Sequence, residues 1–94
     1  MTLEEFRRSL SSDRPPQGVS QVLEALWYDG KGEWDRAHAL AQAAGGRNGA
    51  WVHAYLHRKE GDLSNAGYWY GKAGHRQPFG SLETEWDELV RALL

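Results

Sequence analysis

The chain has 94 residues, 40% of them hydrophobic and 26% charged, which suits one small domain above the length at which a core depends on metal or disulfide staples. It contains no cysteine, so disulfides, thiolate metal sites, cysteine nucleophiles and thiol redox chemistry are excluded. A formal charge of −2 lacks the basic surplus of a nucleic-acid or anionic-membrane binder. No apolar run approaches a membrane span and the opening MTLEEFRR has no signal-peptide core, so the expectation is a cytoplasmic protein with no nucleic-acid or membrane partner.

Thr2 and Glu5 form a capping-box pattern, and Leu3, Phe6 and Leu10 follow at helical spacing, predicting a first helix over residues 3–11. The stretch SSDRPPQG, residues 11–18, stops it and reads as a linker. Val19, Val22, Leu23, Leu26 and Trp27 then make an amphipathic stripe that ends at Gly30-Lys31-Gly32. Trp34, Ala37, Leu40, Ala41 and Ala44 continue the period until Gly45-Gly46-Arg47-Asn48-Gly49 breaks it, which gives a helical hairpin over 19–44. Ala50, Trp51, Ala54, Tyr55 and Leu56 open a fourth helix that Gly61 stops, and Asp62 is placed to cap a fifth over 63–73, so a second hairpin spans 50–74. Ser81 can cap a last helix, over 81–94, in which Leu82, Trp86, Leu89, Val90 and Leu93 share one face. Six helices and no strand predict an all-α fold in a single domain, residues 1–94.

The two hairpins are related. GEWDRAHALAQAAG (32–45) aligns without gaps to GDLSNAGYWYGKAG (61–74), matching glycine, acid, alanine, alanine and glycine. The pattern resembles tetratricopeptide repeats, through Ala54, Gly61, Asp62, Ala66, Tyr70, Ala73 and Pro78 in the second unit and Ala25, Tyr28, Gly32, Ala37 and Ala44 in the first. The segment WVHAYLHRKEGDLSNAGYWYGKAG (51–74) is also similar to a family of short proteins with an HAYLHRKEGDxxNAxYWYxxAG-type motif, a resemblance that implies no particular activity. What the tetratricopeptide resemblance implies is two tandem hairpins with capping helices at both ends.

In that register Trp51, Tyr55, Arg58 and Lys59 line a concave groove on the fourth helix, with Asn48 at its edge. An aromatic floor ending in two cations suits a protein or peptide partner that carries apolar side chains and a carboxylate. The expected function is therefore a non-catalytic interaction module without a cofactor, in which Arg58→Glu abolishes partner binding and leaves the melting temperature nearly unchanged. A second constellation, His53, His57 and Glu60 at i, i+4 and i+7 with His38 on the preceding helix, could hold a metal ion or serve a small enzyme. In the repeat alignment His53 and His57 take packing positions, which favours imidazoles bonded to a carbonyl, Asp62 or Tyr70, with metal binding or proton transfer as the alternatives. Gly67 and Gly71, on one face of the fifth helix, point to close approach of a neighbouring helix or of a second chain in a homodimer. Residues 47–76 are net basic and the last helix is net acidic, so that helix could fold back on the middle; Glu83, Glu85, Asp87 and Glu88 otherwise read as a solvated face.

Overall fold

The structure, a computed structural model, describes all residues from Met1 to Leu94. It is all-helical, with α1 (Leu3–Ser9), α2 (Gln21–Gly30), α3 (Trp34–Ala44), α4 (Gly46–Glu60), α5 (Leu63–Ala73) and α6 (Leu82–Leu93), and it contains no strand. No helix is long and apolar enough to cross a membrane.

Local chemistry sets the helix starts. The Thr2 hydroxyl accepts from the Glu5 amide while the Glu5 carboxylate accepts from the Thr2 amide, closing the capping box. That backbone N–H holds the Glu5 carboxyl below its ordinary range. Ser20, Asp62 and Ser81 cap α2, α5 and α6 by accepting from the amides of Leu23, Asn65 and Thr84. Helix α1 ends at Ser9, two residues before the expected stop, and the Pro-containing connector follows.

The hairpins form as α2 on α3 and α4 on α5, joined by turns at residues 31–33 and 61–62, and α3 also packs on α4. One core, including Phe6, Leu26, Trp27, Ala37, Ala41, Val52, Leu56, Leu89 and Val90, runs through α1, α2, α3, α4 and α6. A smaller one of Ala54, Ala66 and Tyr70 sits between α4 and α5. The acidic last helix does fold back, packing on α2 and α4. Trp86 fixes it there, its ring 5.8 Å from Phe6 and its Nε1–H donating to the Leu26 carbonyl at 2.9 Å.

Two glycine expectations change. The Gly45–Gly49 run does not break the chain throughout, because α4 starts at Gly46 and Gly49 lies inside its first turn. A Cβ on Gly49 would sit 2.9 Å from the Ala41 carbonyl oxygen, so this glycine is what lets α4 approach α3. At Gly67 and Gly71 a Cβ would meet nothing within 4 Å, and both are exposed. No helix of this chain approaches them. Replacing each with alanine therefore removes only the backbone-entropy penalty of a helix-interior glycine, about 1 kcal/mol. Gly67→Ala and Gly71→Ala are each expected to raise the melting temperature by about 4–8 °C. A fall on calorimetry would show that an interface uses the bare backbone.

Candidate metal centre

Helix α4 is buried along most of its length and carries polar side chains on two faces. The first faces α2 and α6, and along it Tyr55 is buried, Arg58 is half-buried and Lys59 is exposed. Tyr55 is 2% exposed and donates to Asp29 Oδ2 at 2.9 Å, while Lys59 Nζ donates to Asp29 Oδ1 at 2.9 Å. Arg58 donates to Glu85 Oε1 at 2.8 Å and to the Gly80 carbonyl, and the other Glu85 oxygen accepts from Tyr70 at 2.5 Å. Burial beside these carboxylates pushes both phenols far above their ordinary range, so they stay protonated donors. Glu85 is 3% exposed and is no part of a solvated face; Asp87 pairs with Arg7. What remains of the groove is a cavity of about 520 Å³ lined by Tyr55, Lys59, Leu82 and Trp86 among others. The other two predicted partner residues lie elsewhere. Trp51 is half-buried and stacks on His75, with ring centroids 3.8 Å apart, and Asn48 is exposed in the first turn of α4.

The second polar face of α4 meets α3 and α5, and here the histidines converge. His38 Nε2 and His53 Nε2 are 2.8 Å apart, and the rings of His53 and His57 are 4.7 Å apart. His38, His53 and His57 each offer a nitrogen, all within 4.8 Å of one another. The expected Asp62 or Tyr70 partners are not used. Instead His57 Nδ1 lies 2.6 Å from Glu60 Oε1 and His57 Nε2 lies 3.3 Å from Asn65 Nδ2. A carboxylate only accepts, so Nδ1 carries the proton and, in the neutral ring, Nε2 presents its lone pair to the Asn65 amide. Fixing one imidazole nitrogen on a carboxylate is how proteins orient the other toward a metal.

Between His38 and His53 a single proton must be shared, since two Nε2–H groups cannot point at each other across 2.8 Å. Burial, followed by the neighbouring imidazoles, pushes His53 down to about 4; burial and His57 lower His38 as well. Both rings are therefore neutral at pH 7, the state that ligates metal. Trp34 stacks on His38 at 4.9 Å and Trp69 on His53 at 4.0 Å, which walls the cluster with two flat apolar faces. The second acidic grouping, His57 with Glu60 and Asp62, is exposed at both carboxylates and shares His57 with the first.

No protein-family model, no curated protein and no solved structure matches the chain. The chemistry of the site rests on its own residues.

Trp34, Asn65 and Trp69 were not singled out as site residues from the sequence, yet a signal for them exists. Each of the three helices carries an i, i+4 pair of ligating or flat side chains: Trp34/His38 on α3, His53/His57 on α4 and Asn65/Trp69 on α5, while α4 has a second, Trp51/Tyr55, that does not join the site. Side chains four apart share a helix face. Three such pairs on consecutive helices of two hairpins are placed to meet.

Proposed function

We propose that the chain is a metal-binding helical protein in which His38, His53 and His57 hold one divalent first-row transition ion. The observation that carries this reading is the convergence of three imidazole nitrogens from two helices within 4.8 Å, one of them already oriented by a carboxylate. Neutral imidazoles suit zinc, copper, nickel or iron, and the absence of an oxygen-rich shell argues against calcium or magnesium. Zinc–nitrogen bonds of roughly 2.0–2.1 Å in tetrahedral geometry set ligand nitrogens roughly 3.3 Å apart. The 2.8 Å His38–His53 contact therefore opens by about half an ångström as the proton between the rings moves to an Nδ1, while His57 closes in from within 4.8 Å and releases the Asn65 amide. The paired hairpins α2–α3 and α4–α5 support reading the scaffold as tetratricopeptide-like, with α3, α4 and α5 supplying the site.

Zinc at a hundred times its dissociation constant stabilises a folded state by about 2.7 kcal/mol if the unfolded chain does not bind it. For a domain of this size the melting temperature is expected to rise by about 10–20 °C. Elemental analysis after dialysis against micromolar zinc should return one ion per chain, and His53→Ala should lose both the ion and the thermal shift while retaining its helical circular dichroism. No bound metal and no shift in the parent chain would overturn the reading.

A recognition role for Trp51, Tyr55, Arg58 and Lys59 has less support, because Tyr55, Arg58 and Lys59 bond within the chain.

A further inference from the structure

His53 and His57 sit one turn apart but their outer nitrogens meet different surroundings. His57 gives its Nδ1–H to Glu60, whereas the only side-chain hydrogen bond of His53 is the Nε2 contact to His38. The chain leaves no buried side-chain nitrogen or oxygen without a partner. His53 Nδ1 is therefore reached by solvent although the residue is only 4% exposed, and His53 lines a cavity.

That cavity, of about 410 Å³, lies where α4 begins and is walled by residues of α3 and α5. Its charged groups are Arg47 and Lys72, both exposed, neither of them in an ion pair, and no acidic residue lines it. Gly45 and Gly46 form part of the wall, and the amide N–H groups of Gly46, Arg47 and Asn48 donate to no group of the chain. The helix start adds partial positive charge to that of the two cations. Open donors and positive charge thus line the same cavity as the buried imidazole of His53.

We propose that this cavity binds an oxyanion, held by Arg47, Lys72 and the His53 Nδ1–H, and that the oxyanion and the metal ion bind cooperatively. The cooperativity rests on the metal reading above; the anion site does not. With a metal on Nε2 the imidazole proton stays on Nδ1, where it can only donate, so the metal-loaded site favours an acceptor in the cavity. An anion accepting that proton raises the basicity of Nε2 in turn, as Glu60 does for His57. Linkage makes the two effects equal in size. Outer partners of this type change metal affinity by about 10–100-fold, and the same factor applies to the anion.

The test titrates sodium sulfate and, separately, sodium acetate at constant ionic strength into the ¹⁵N-labelled full chain, with and without zinc. The amide of Arg47 and the ring nitrogens of His53 are followed by NMR. One saturable site is expected, at least about tenfold tighter in the zinc-loaded chain. It should weaken at least tenfold in the Arg47→Ala/Lys72→Ala double variant, whose melting temperature stays within about 4 °C of the parent because both side chains are exposed, neither is in an ion pair, and only the exposed Lys72 contact to the Tyr68 ring is lost. Saturation by sulfate alone identifies a tetrahedral oxyanion as the ligand class, and saturation by acetate alone identifies a carboxylate. Shifts that do not saturate with either anion, or that the double variant leaves unchanged, overturn the anion site. Equal affinity in zinc-loaded and zinc-free chain overturns the coupling and leaves the metal reading standing. Saturable binding in a chain that retains no zinc supports the anion site and overturns the metal reading.

Discussion

An Arg58→Glu chain is expected to melt at least about 12 °C below the parent or to show no cooperative transition, at 4 °C or more per kcal/mol for a domain of this size. The cause is the burial of its partner. Glu85 is 3% exposed, and its two oxygens are satisfied by Arg58 at 2.8 Å and by Tyr70 at 2.5 Å. Removing one member of a buried pair costs about 3–5 kcal/mol because the remaining charge is left without its counter-ion. The substitution goes further by setting a second carboxylate beside the first, and it also removes the donor to the Gly80 carbonyl. Against a total of about 5–15 kcal/mol for a small domain, that is enough to unfold it or nearly so. A second variant isolates the electrostatic part. Arg58→Glu/Glu85→Gln relieves the like-charge contact while a Gln carbonyl still accepts from Tyr70, so part of the loss should be recovered. The non-additivity between the two sites then measures their coupling. A melting temperature within about 3 °C of the parent for the single variant would mean that Arg58 faces solvent.

The same residue shows where reading the sequence stops. Arg58 and Lys59 have the spacing of an exposed basic edge, and Glu85 sits in an acidic run that reads as solvated. Nothing in either segment alone says otherwise, because the burial of Glu85 is decided by α6 crossing α4, some 27 residues away in the chain. Features set within one helix were legible: the Thr2/Glu5 box, the Asp62 and Ser81 caps, and the stripe through Leu82, Trp86 and Leu89. So was the opposition of a basic middle and an acidic end, which the Arg58–Glu85 contact realises. Features set by the distance between helices were not. Gly49 reads as a breaker by composition, and only the 2.9 Å that a Cβ there would leave to the Ala41 carbonyl oxygen shows that it spaces α3 from α4. The histidine spacing on α4 is visible, but whether His38 reaches it depends on that same spacing. The i, i+4 pairs on α3, α4 and α5 are visible in the sequence, but α4 carries both His53/His57 and Trp51/Tyr55, and only the packing of the hairpins decides that the histidine pair is the one turned toward α3 and α5.

Phe6→Ala is the second large effect, with an expected loss of about 3–5 kcal/mol. Phe6 is fully buried and is the only buried residue of α1, a helix of 7 residues. Isolated helices that short do not hold together in water, so α1 exists because this ring docks against Trp86 on α6. Truncating it leaves a cavity beside Trp86. What still ties α1 down is peripheral: the partly buried Leu3 and Leu10 at the edge of the core, the partly exposed Arg7–Asp87 pair, the Trp27 Nε1–H on the Ser9 hydroxyl, and the Lys31 ammonium on the Leu10 and Ser12 carbonyls. Hydrogen exchange should therefore quicken first at the amides of Phe6 and Leu10, whose acceptors lie within α1 or its cap. The consequence for the metal centre follows from the layout. Helix α1 packs on α6, whereas His38, His53 and His57 stand on the face of α4 turned toward α3 and α5. Below its lowered transition the Phe6→Ala chain should bind zinc with the parent's affinity, because the Gly49 spacing and the Glu60 contact that hold the imidazoles are untouched. A tenfold loss of zinc affinity in a chain that is still folded would mean that the capping helix and the histidine site form one cooperative unit.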